Sequence, residues 1–536
     1  VRVIETIEVV LALMMVIAAI AVMARRLKVP PAILLVLTGV VLALVPGLPR
    51  VSFAPEFILL LVLPPIIYSS AVAMSWSEFR FNLRPISLLA VGCVVFTTIA
   101  AGAAVHFMLG LAWPVALVLG AIVSPPDAVA PLSIARGMQL PRRILVILEG
   151  EGLANDATAL ILYRFAAAAV SLGVFSLGHA ALMFSAIVAG EILWGIGVGW
   201  VMLRLRRWVD DPRIEILLSL LTPFLAYLPP QQLGGSGVLA TVTAGLYISW
   251  NGLRLISAPT RLQGIFFWDF LIYLVEGVVF LITGLQARAM LAGVGGYSLS
   301  ELAMSAVILS VVVIIARFIW TYPATYLPRW LIPAIRRKDP APAWQWPFVL
   351  SFTGVRGIVS LAAALAIPLQ IANGEPFPDR DLILFLTFFV ILVTLVGQGL
   401  TLPALIRVLG LANAGRREHH ADATEEFEAR RQAVAAATER LKRLALGRAL
   451  PQAVVAPLLA GLQDRLNNLE HRIDGHDGHR ELVETYDEIQ LVLITAERQA
   501  VNDLYRDGKL KDEARRRIER ELDLREAGLE NLRAAD

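Results

Sequence analysis

The stretch 149-EGEGLANDATAL-160 lies between "RRILVIL" and "ILYRFAAAAV", two flanks apolar enough to belong to a membrane span. It carries three carboxylates, Glu149, Glu151 and Asp156, with Asn155 directly before the last. Ionisable side chains at membrane depth are costly. Where they persist, they face a protein interior or a water-filled cavity and mark a pathway or an ion pair. On a helix Glu151 and Asn155 are four apart and share a face, while Asp156 is one position further round. Both faces must then meet protein or water, not lipid. Glu149, nearest the basic end of the segment, reads equally as an interfacial charge or as an acid that gathers cations into a funnel.

The rest of the chain fits a membrane setting. Of its 536 residues 57% are hydrophobic and 17% charged, with a mean hydropathy of +0.68. Soluble domains carry about 45–50% apolar and about 25% charged residues. The single cysteine, Cys93, excludes an internal disulfide framework and a cysteine metal cluster. A net charge of +3 gives no reason to expect a nucleic-acid partner. The first apolar run, "IEVVLALMMVIAAIAVMARRLK", has its basic residues after the run and no evident cleavage site, so it reads as a span and not a signal peptide.

A span needs about 20 apolar residues. About thirteen candidates precede residue 410 by that criterion, near 5–24, 30–48, 55–74, 85–110, 113–136, 141–171, 180–204, 212–229, 236–251, 264–288, 298–325, 345–370 and 380–409. With the N-terminus outside, about 18 Lys and Arg fall in inside loops against four outside, Arg2, Arg50, Arg288 and Arg380. That asymmetry supports an odd number of spans with the C-terminus inside. The expected fold is an all-α integral membrane domain over 1–410, followed by a cytoplasmic helical domain over 411–536. "EEFEARRQAVAAATERLKRLAL" and "KDEARRRIERELDLREAGLENL" set Leu and Ala at helical spacing among balanced charges. They read as solvated helices packed on each other, with regulation of transport or a dimer contact as the sharper alternative. "HRIDGHDGH", His471 to His479, reads as a polar interhelical loop in preference to a metal site.

Two spans look broken. In "AIVSPPDAVAP", Pro125 and Pro126 each remove a backbone donor and clash with the preceding turn. The backbone at 124–127 is therefore expected to unwind inside a protein-lined cavity. Its opened carbonyls beside Asp127 would suit a cation, with Asp127 also capping the next half-helix. In "SFTGVRGIVSLAAAL", Gly354 and Gly357 flank Arg356, a guanidinium that needs a partner at this depth. Glu151 is the expected partner, with Asp127 as the rival. The two broken spans are the fifth and the twelfth, corresponding places in two inverted repeats of six. Glu276 in "LIYLVEGVVFLITGLQ" reads as a packing acid bonded to a neighbour, and Arg317 in "IIARFIWTYP" as a structural residue that snorkels to the inside surface.

These motifs resemble those of the monovalent cation/proton antiporters of the Na+/H+ exchanger type, the cation:proton antiporter-1 group. "EGEGLANDATALILY" is similar to the group's glutamate–asparagine–aspartate signature, "SPPDAVAP" to its unwound-helix motif and "TGVRGIVSLAAAL" to its arginine motif. "LPPIIYSSA", "GGSGVLATVTAGL" and "QGLTLPALIRVLG" resemble further family segments in the expected order, over about 5–410. The resemblance implies a homodimer of thirteen-span protomers in the cell membrane, each with a dimerisation bundle and a six-helix core. It implies that Asp156 binds Na+ or a proton alternately, with Asn155 and Asp127 beside it, and that Glu151 pairs with Arg356. Asn155 before Asp156, in place of a second acid, goes in that family with electroneutral exchange.

The chain departs from many members at Tyr68-Ser69-Ser70, where an acid is common, at Pro126, where a Thr or Val is common, and at Gly152, where a Ser is common. A leaner ligand shell leaves the choice among Na+, Li+ and K+ open. No cofactor is expected beyond the transported cation and H+, and no nucleotide-binding or nucleophile motif suggests an enzyme. The alternatives are a K+/H+ or mixed-cation antiporter and, from other classes, a cation channel or a non-transporting membrane sensor.

Overall fold

The computed structural model describes residues 2–45, 58–138, 140–172, 177–209, 211–252, 255–293, 298–371, 373–447, 450–473 and 477–533. Within them the chain is helical, and its extended pairing is confined to the isolated bridge between Gln370 and Pro376. Two compact units emerge, Val1–Ala412 and Asn413–Asp536.

In the first unit every candidate span carries helix within the described residues. Seven helical stretches are long and apolar enough to cross a membrane by themselves: Glu8–Leu27, Leu83–Leu109, Ala180–Arg206, Pro212–Gln232, Ala258–Leu291, Ser300–Leu331 and Arg380–Val408. Pro31–Leu44, Leu59–Ala73 and Trp113–Val123 are shorter apolar helices. The helix bearing the opening motif, Arg142–Leu172, is 31 residues long and unbroken, and its interior acids keep it out of that apolar set.

Association between apolar helices in lipid depends on close packing, and small residues permit it. Pro31–Leu44 and Ala258–Leu285 meet through Gly39 and Gly284. A Cβ on Gly39 would lie 2.3 Å from the Leu281 carbonyl oxygen, and one on Gly284 would lie 2.2 Å from that of Val36. The buried core is aliphatic and continuous around the polar centre, with Leu119, Ile122, Leu361, Ile383 and Leu386 almost without solvent contact. Many large apolar side chains of the same unit, among them Trp200, Leu193, Phe266 and Ile319, face outward. That pattern suits a surface bathed in lipid.

The second unit is described by itself. Asp477–Arg506 and Asp512–Arg533 run back along each other, tied by Arg498 to Asp523 at 2.9 Å and Glu526 at 2.6 Å, and by Arg525 to Glu497 at 3.1 Å. Val434, Val455, Ile494, Val501 and Leu522 supply buried apolar positions. The His471–His479 stretch lies outside the residues whose side chains are described.

Candidate ion site at two crossed broken helices

Two helices stop and restart within the first unit. The first runs Trp113–Val123, opens at 124–128 and resumes as Val129–Gly137. The second runs Gln345–Phe352, opens at 353–357 and resumes as Ile358–Leu365. The openings touch. The Asp127 backbone N–H donates to the Val355 carbonyl at 2.7 Å. A Cβ on Gly357 would fall 1.8 Å from Asp127 Oδ2, so only a glycine lets the two segments cross this closely.

Each opening exposes carbonyls at the end of one half-helix and N–H groups at the start of the next. One carboxylate serves both starts. Asp127 Oδ1 accepts from the Val129 N–H at 2.9 Å, and Oδ2, packed against Gly357 just before the second start, has no hydrogen-bond partner among the described residues. The N-terminal dipoles of both resumed halves favour a negative charge there. Arginines serve the carbonyl ends, where the dipoles favour a positive charge. Arg356 Nε donates to Val123 at 2.8 Å and its Nη1 donates to Gly354. Arg317 Nε donates to Leu350 at 3.0 Å. Arg380 closes the resumed half of the second broken helix through Ile367 at 3.0 Å and Leu365 at 3.2 Å.

This arrangement corrects the expected Glu151–Arg356 pair. Glu151, 1% exposed, is held in a two-pronged bridge by Arg317, also 1% exposed, with contacts of 2.5 and 2.7 Å. Arg356 finds its partners in opened carbonyls, and the carbonyl end of a half-helix dipole stands in for a counter-ion. Arg317 does not snorkel; it is among the largest fully buried side chains. Gly354 separates the two arginines, for a Cβ there would lie 2.7 Å from Arg317 Cδ and 2.9 Å from Arg356 Nη1. Asp127, the rival partner, bonds to neither.

Against this crossing lies the unbroken Arg142–Leu172 helix. Asn155, 0% exposed, donates from Nδ2 to the Pro126 carbonyl at 2.7 Å, and its buried Oδ1 has no partner among the described residues. Asp156 retains partial exposure, makes no hydrogen bond or ion pair to the described residues, and lies within electrostatic reach of Asp127. Gly152 faces Ala128, and a Cβ there would stand 2.6 Å from the Ala128 Cβ. The glycine therefore exchanges a hydroxyl for close approach of this helix to the unwound segment. Glu149 sits outside the group and bridges to Arg136 at 2.6 Å. Glu276 is half-buried and within reach of the Asp127 charge, but it is bonded to no neighbour among the described residues, contrary to its reading as a packing acid.

With this geometry in view, the family model described as "Sodium/hydrogen exchanger, transmembrane" matches residues 10–408. The chain belongs to the sodium/hydrogen exchanger family. It is 35% identical over 525 residues to an uncharacterized Na(+)/H(+) exchanger of Mycobacterium tuberculosis, covering 95% of this chain and 93% of the relative. It is 30% identical to the Na(+)/H(+) antiporter NhaS2 of Synechocystis, over 94% of this chain and 89% of the relative. It is 33% identical to a sodium, potassium, lithium and rubidium/H(+) antiporter of Bacillus subtilis, over 70% of this chain and 58% of the relative. The fold is similar to the solved sodium proton antiporter MjNhaP1 of Methanocaldococcus jannaschii, with a TM-score of 0.62 and 18% identity, covering 76% of this chain and all of that one. The family is one of secondary transporters, not enzymes.

Two carboxylates of this exchanger escaped the sequence reading. Glu191 is 2% exposed and accepts from the backbone N–H groups of Ser236 (2.5 Å), Gly237 (3.0 Å) and Leu239 (3.0 Å), as well as from the Ser236 hydroxyl. It caps the start of Val238–Gly252, so "GGSG" is a loop wrapped around an acid. The signal available was a lone Glu in an otherwise apolar run. Asp339 gathers three basic residues, Arg84, Arg143 at 2.9 Å and Arg329 at 2.7 Å. Burial pushes its carboxyl up, but the Arg143 hydrogen bond and the Arg143 and Arg329 charges prevail and hold it below the ordinary carboxylate range.

Proposed function

We propose that this exchanger is a Na+/H+ antiporter that exchanges one cation for one proton by alternating access, with Asp156 binding either ion. The observation that carries the reading is the contrast at one point of the molecule. Among the described residues, Asp156 is partly exposed and unpaired, and a buried Asn155 Oδ1 and a buried Asp127 Oδ2 near it both lack hydrogen-bond partners. Unsatisfied buried acceptors are destabilising, and a monovalent cation is the ligand that three oxygen acceptors suit. Asp127 and Asn155 then supply oxygens, and opened main-chain carbonyls and water complete the shell where Gly152 and Pro126 offer no hydroxyl.

Competition at one carboxylate couples the two fluxes. Burial disfavours a bare charge, and either a proton or a cation neutralises it. If the protein changes access only in a neutralised state, cation and proton cannot cross together or leave the site empty on the return. Asn155 lends an oxygen without adding a second negative charge, so the cycle moves no net charge. The arginine-capped crossing is the rigid part that carries the site, with Glu151–Arg317 locking the Arg142–Leu172 helix to it. We further propose a homodimer in the cell membrane, with the N-terminus outside and the 413–536 unit in the cytoplasm, in accord with the distribution of Lys and Arg among the loops.

The test is proton-coupled flux in proteoliposomes with Na+, Li+ and K+ supplied separately. Uphill Na+ movement driven by a proton gradient is expected, insensitive to an imposed membrane potential. Potential-driven flux would refute electroneutrality, and downhill flux alone would refute antiport in favour of a channel. The Bacillus subtilis relative, named for four cations, supports a second reading with mixed selectivity. Comparable K+ and Na+ fluxes in that assay would establish it.

A further inference from the structure

Away from the ion site, four helix ends converge around a cavity of about 630 Å³. Arg206 ends the Leu177–Arg206 helix, and Glu215 lies in the first turn of Pro212–Gln232. Trp250 is near the end of Val238–Gly252, and Arg261 is in the first turn of Ala258–Leu285. All four line the space. The volume is that of a small-molecule site, and its walls are mostly apolar, stiffened by the Tyr68–Trp268 ring contact at 5.3 Å and the Trp268 bond to Ser219 at 2.9 Å.

Two charges in it are out of place. Arg206 is 4% exposed, its hydrogen bonding among the described residues is one long contact of 3.4 Å to the Tyr68 hydroxyl, and its Nε has no partner. Glu215 is 3% exposed and its Oε2 has no partner among the described residues. The two form no ion pair with each other. Helix dipoles favour each charge where it sits, but a dipole supplies neither the donor that Glu215 lacks nor the acceptors that Arg206 lacks. A buried guanidinium and a buried carboxylate facing one cavity without touching leave a gap that a group of both signs fills. Arg261 and Asp269, both exposed, add one charge of each sign to the lining.

We propose that this cavity binds an amphiphile with a zwitterionic phosphate–amine head group, of the phosphoethanolamine type. The phosphate takes the donors of Arg206, as a fork of N–H groups suits phosphate oxygens. The ammonium donates to Glu215 and lies against the tryptophan rings. The depth suits a membrane lipid. The cavity lies where apolar spanning helices end, the level of lipid head groups, and exposed apolar side chains such as Ile265 and Trp250 lead from its mouth onto the outer surface.

The experiment measures thermal unfolding and lipid retention, by native mass spectrometry, of the full chain purified in detergent and stripped of lipid. Phosphatidylethanolamine, phosphatidylglycerol and soluble glycerophosphoethanolamine are added separately. Phosphatidylethanolamine is expected to be retained and to raise the unfolding temperature more than phosphatidylglycerol does. Glu215→Gln is expected to reduce the preference between the two by about tenfold, and Arg206→Gln to weaken both. Should Arg206→Gln fail to fold, Gly264→Leu serves in its place. A Cβ on Gly264 would meet only Ile216 Cγ1, at an ordinary contact distance of 4.0 Å, leucine is the better helix former, and its side chain enters the cavity that Gly264 lines, so retention is expected to be lost in a folded protein. Equal protection by glycerophosphoethanolamine assigns the site to a soluble head group, and protection by the lipid alone assigns it to the membrane. Equal retention of both lipids by the unaltered protein, or an unchanged preference in Glu215→Gln, overturns the proposal.

Discussion

Glu151 and Asp156 stand little more than one turn apart on the same helix, and the fold treats them in opposite ways. Glu151 is sealed from solvent and both of its oxygens are taken by Arg317. Asp156 keeps a path to solvent and has no bonded partner among the described residues. The two acids differ because the fold places its arginines at Glu151 and at opened carbonyls. Arg317, Arg356 and Arg380 are committed to carbonyl ends or to Glu151 and Arg136 to Glu149, so among the described residues none of them neutralises Asp156. A carboxylate that must trade a proton for a cation has to be left without a permanent counter-charge, and its neighbours hold the arginines that would otherwise provide one.

The largest effect follows from removing the open acid. Asp156→Asn is expected to bring cation/proton exchange in proteoliposomes to background while the thermal unfolding midpoint in detergent stays near that of the parent. Retained exchange would refute the assignment, and lost folding would show that the two acids differ less than their environments suggest. The sealed acid should behave in reverse. Glu151→Gln leaves Arg317 as an uncompensated buried charge, and breaking such a pair costs about 3–5 kcal/mol. Thermal unfolding should drop accordingly. Glu151→Gln combined with Arg317→Met should recover much of the loss, because apolar replacement of a buried pair is often neutral. If the single variant is as stable as the parent, Glu151 is not a strut.

Arg356 supplies the next comparison. Among the described residues its side chain bonds to backbone carbonyls alone, so Arg356→Ala removes caps from the two broken helices without stranding an opposite charge. The expected loss is about 1–3 kcal/mol, the penalty for leaving buried acceptors unsatisfied, with cation selectivity unchanged in the flux assay. A stable Arg356→Ala protein with altered selectivity would move Arg356 into the ion site.

The legible and the hidden parts of this site divide on physical grounds. Pro125 and Pro126 announce a break because a missing N–H is a local property, and Gly354 and Gly357 do the same for the second helix. Two breaks of that kind in corresponding halves make a crossing readable, and the Asp127–Val355 and Asn155–Pro126 contacts fall there. The partner of Glu151 was not readable. Two arginines compete for it, and the choice depends on which guanidinium the opened carbonyls claim first. Arg317 lies on an unbroken helix, Leu299–Leu331, with no local sign of its task. Glu191 and Asp339 stayed hidden for the same reason: helical spacing tells which face a side chain takes, but not which N–H groups or arginines a distant segment brings to it.

Asp339 gives the smallest effect and a test with a sign. It is a third kind of carboxylate, arginine-held like Glu151 but in a loop and only partly shielded, so its pairs should contribute about 1 kcal/mol or less each. Its carboxyl is held below the ordinary range, so the folded chain binds its proton less readily than the unfolded chain does. The stability it contributes is then fully present above the unfolded value, near 3.9 for an aspartate, and is lost as pH falls through the lower folded value. Asp339→Asn is accordingly expected to lower the unfolding midpoint at pH 7 by a small amount that is unchanged at pH 5 and shrinks only below about pH 4. A difference that vanishes between pH 7 and pH 5 would mean that the three arginines do not hold Asp339 ionised, and the contrast between held and open carboxylates would then rest on Glu151 alone.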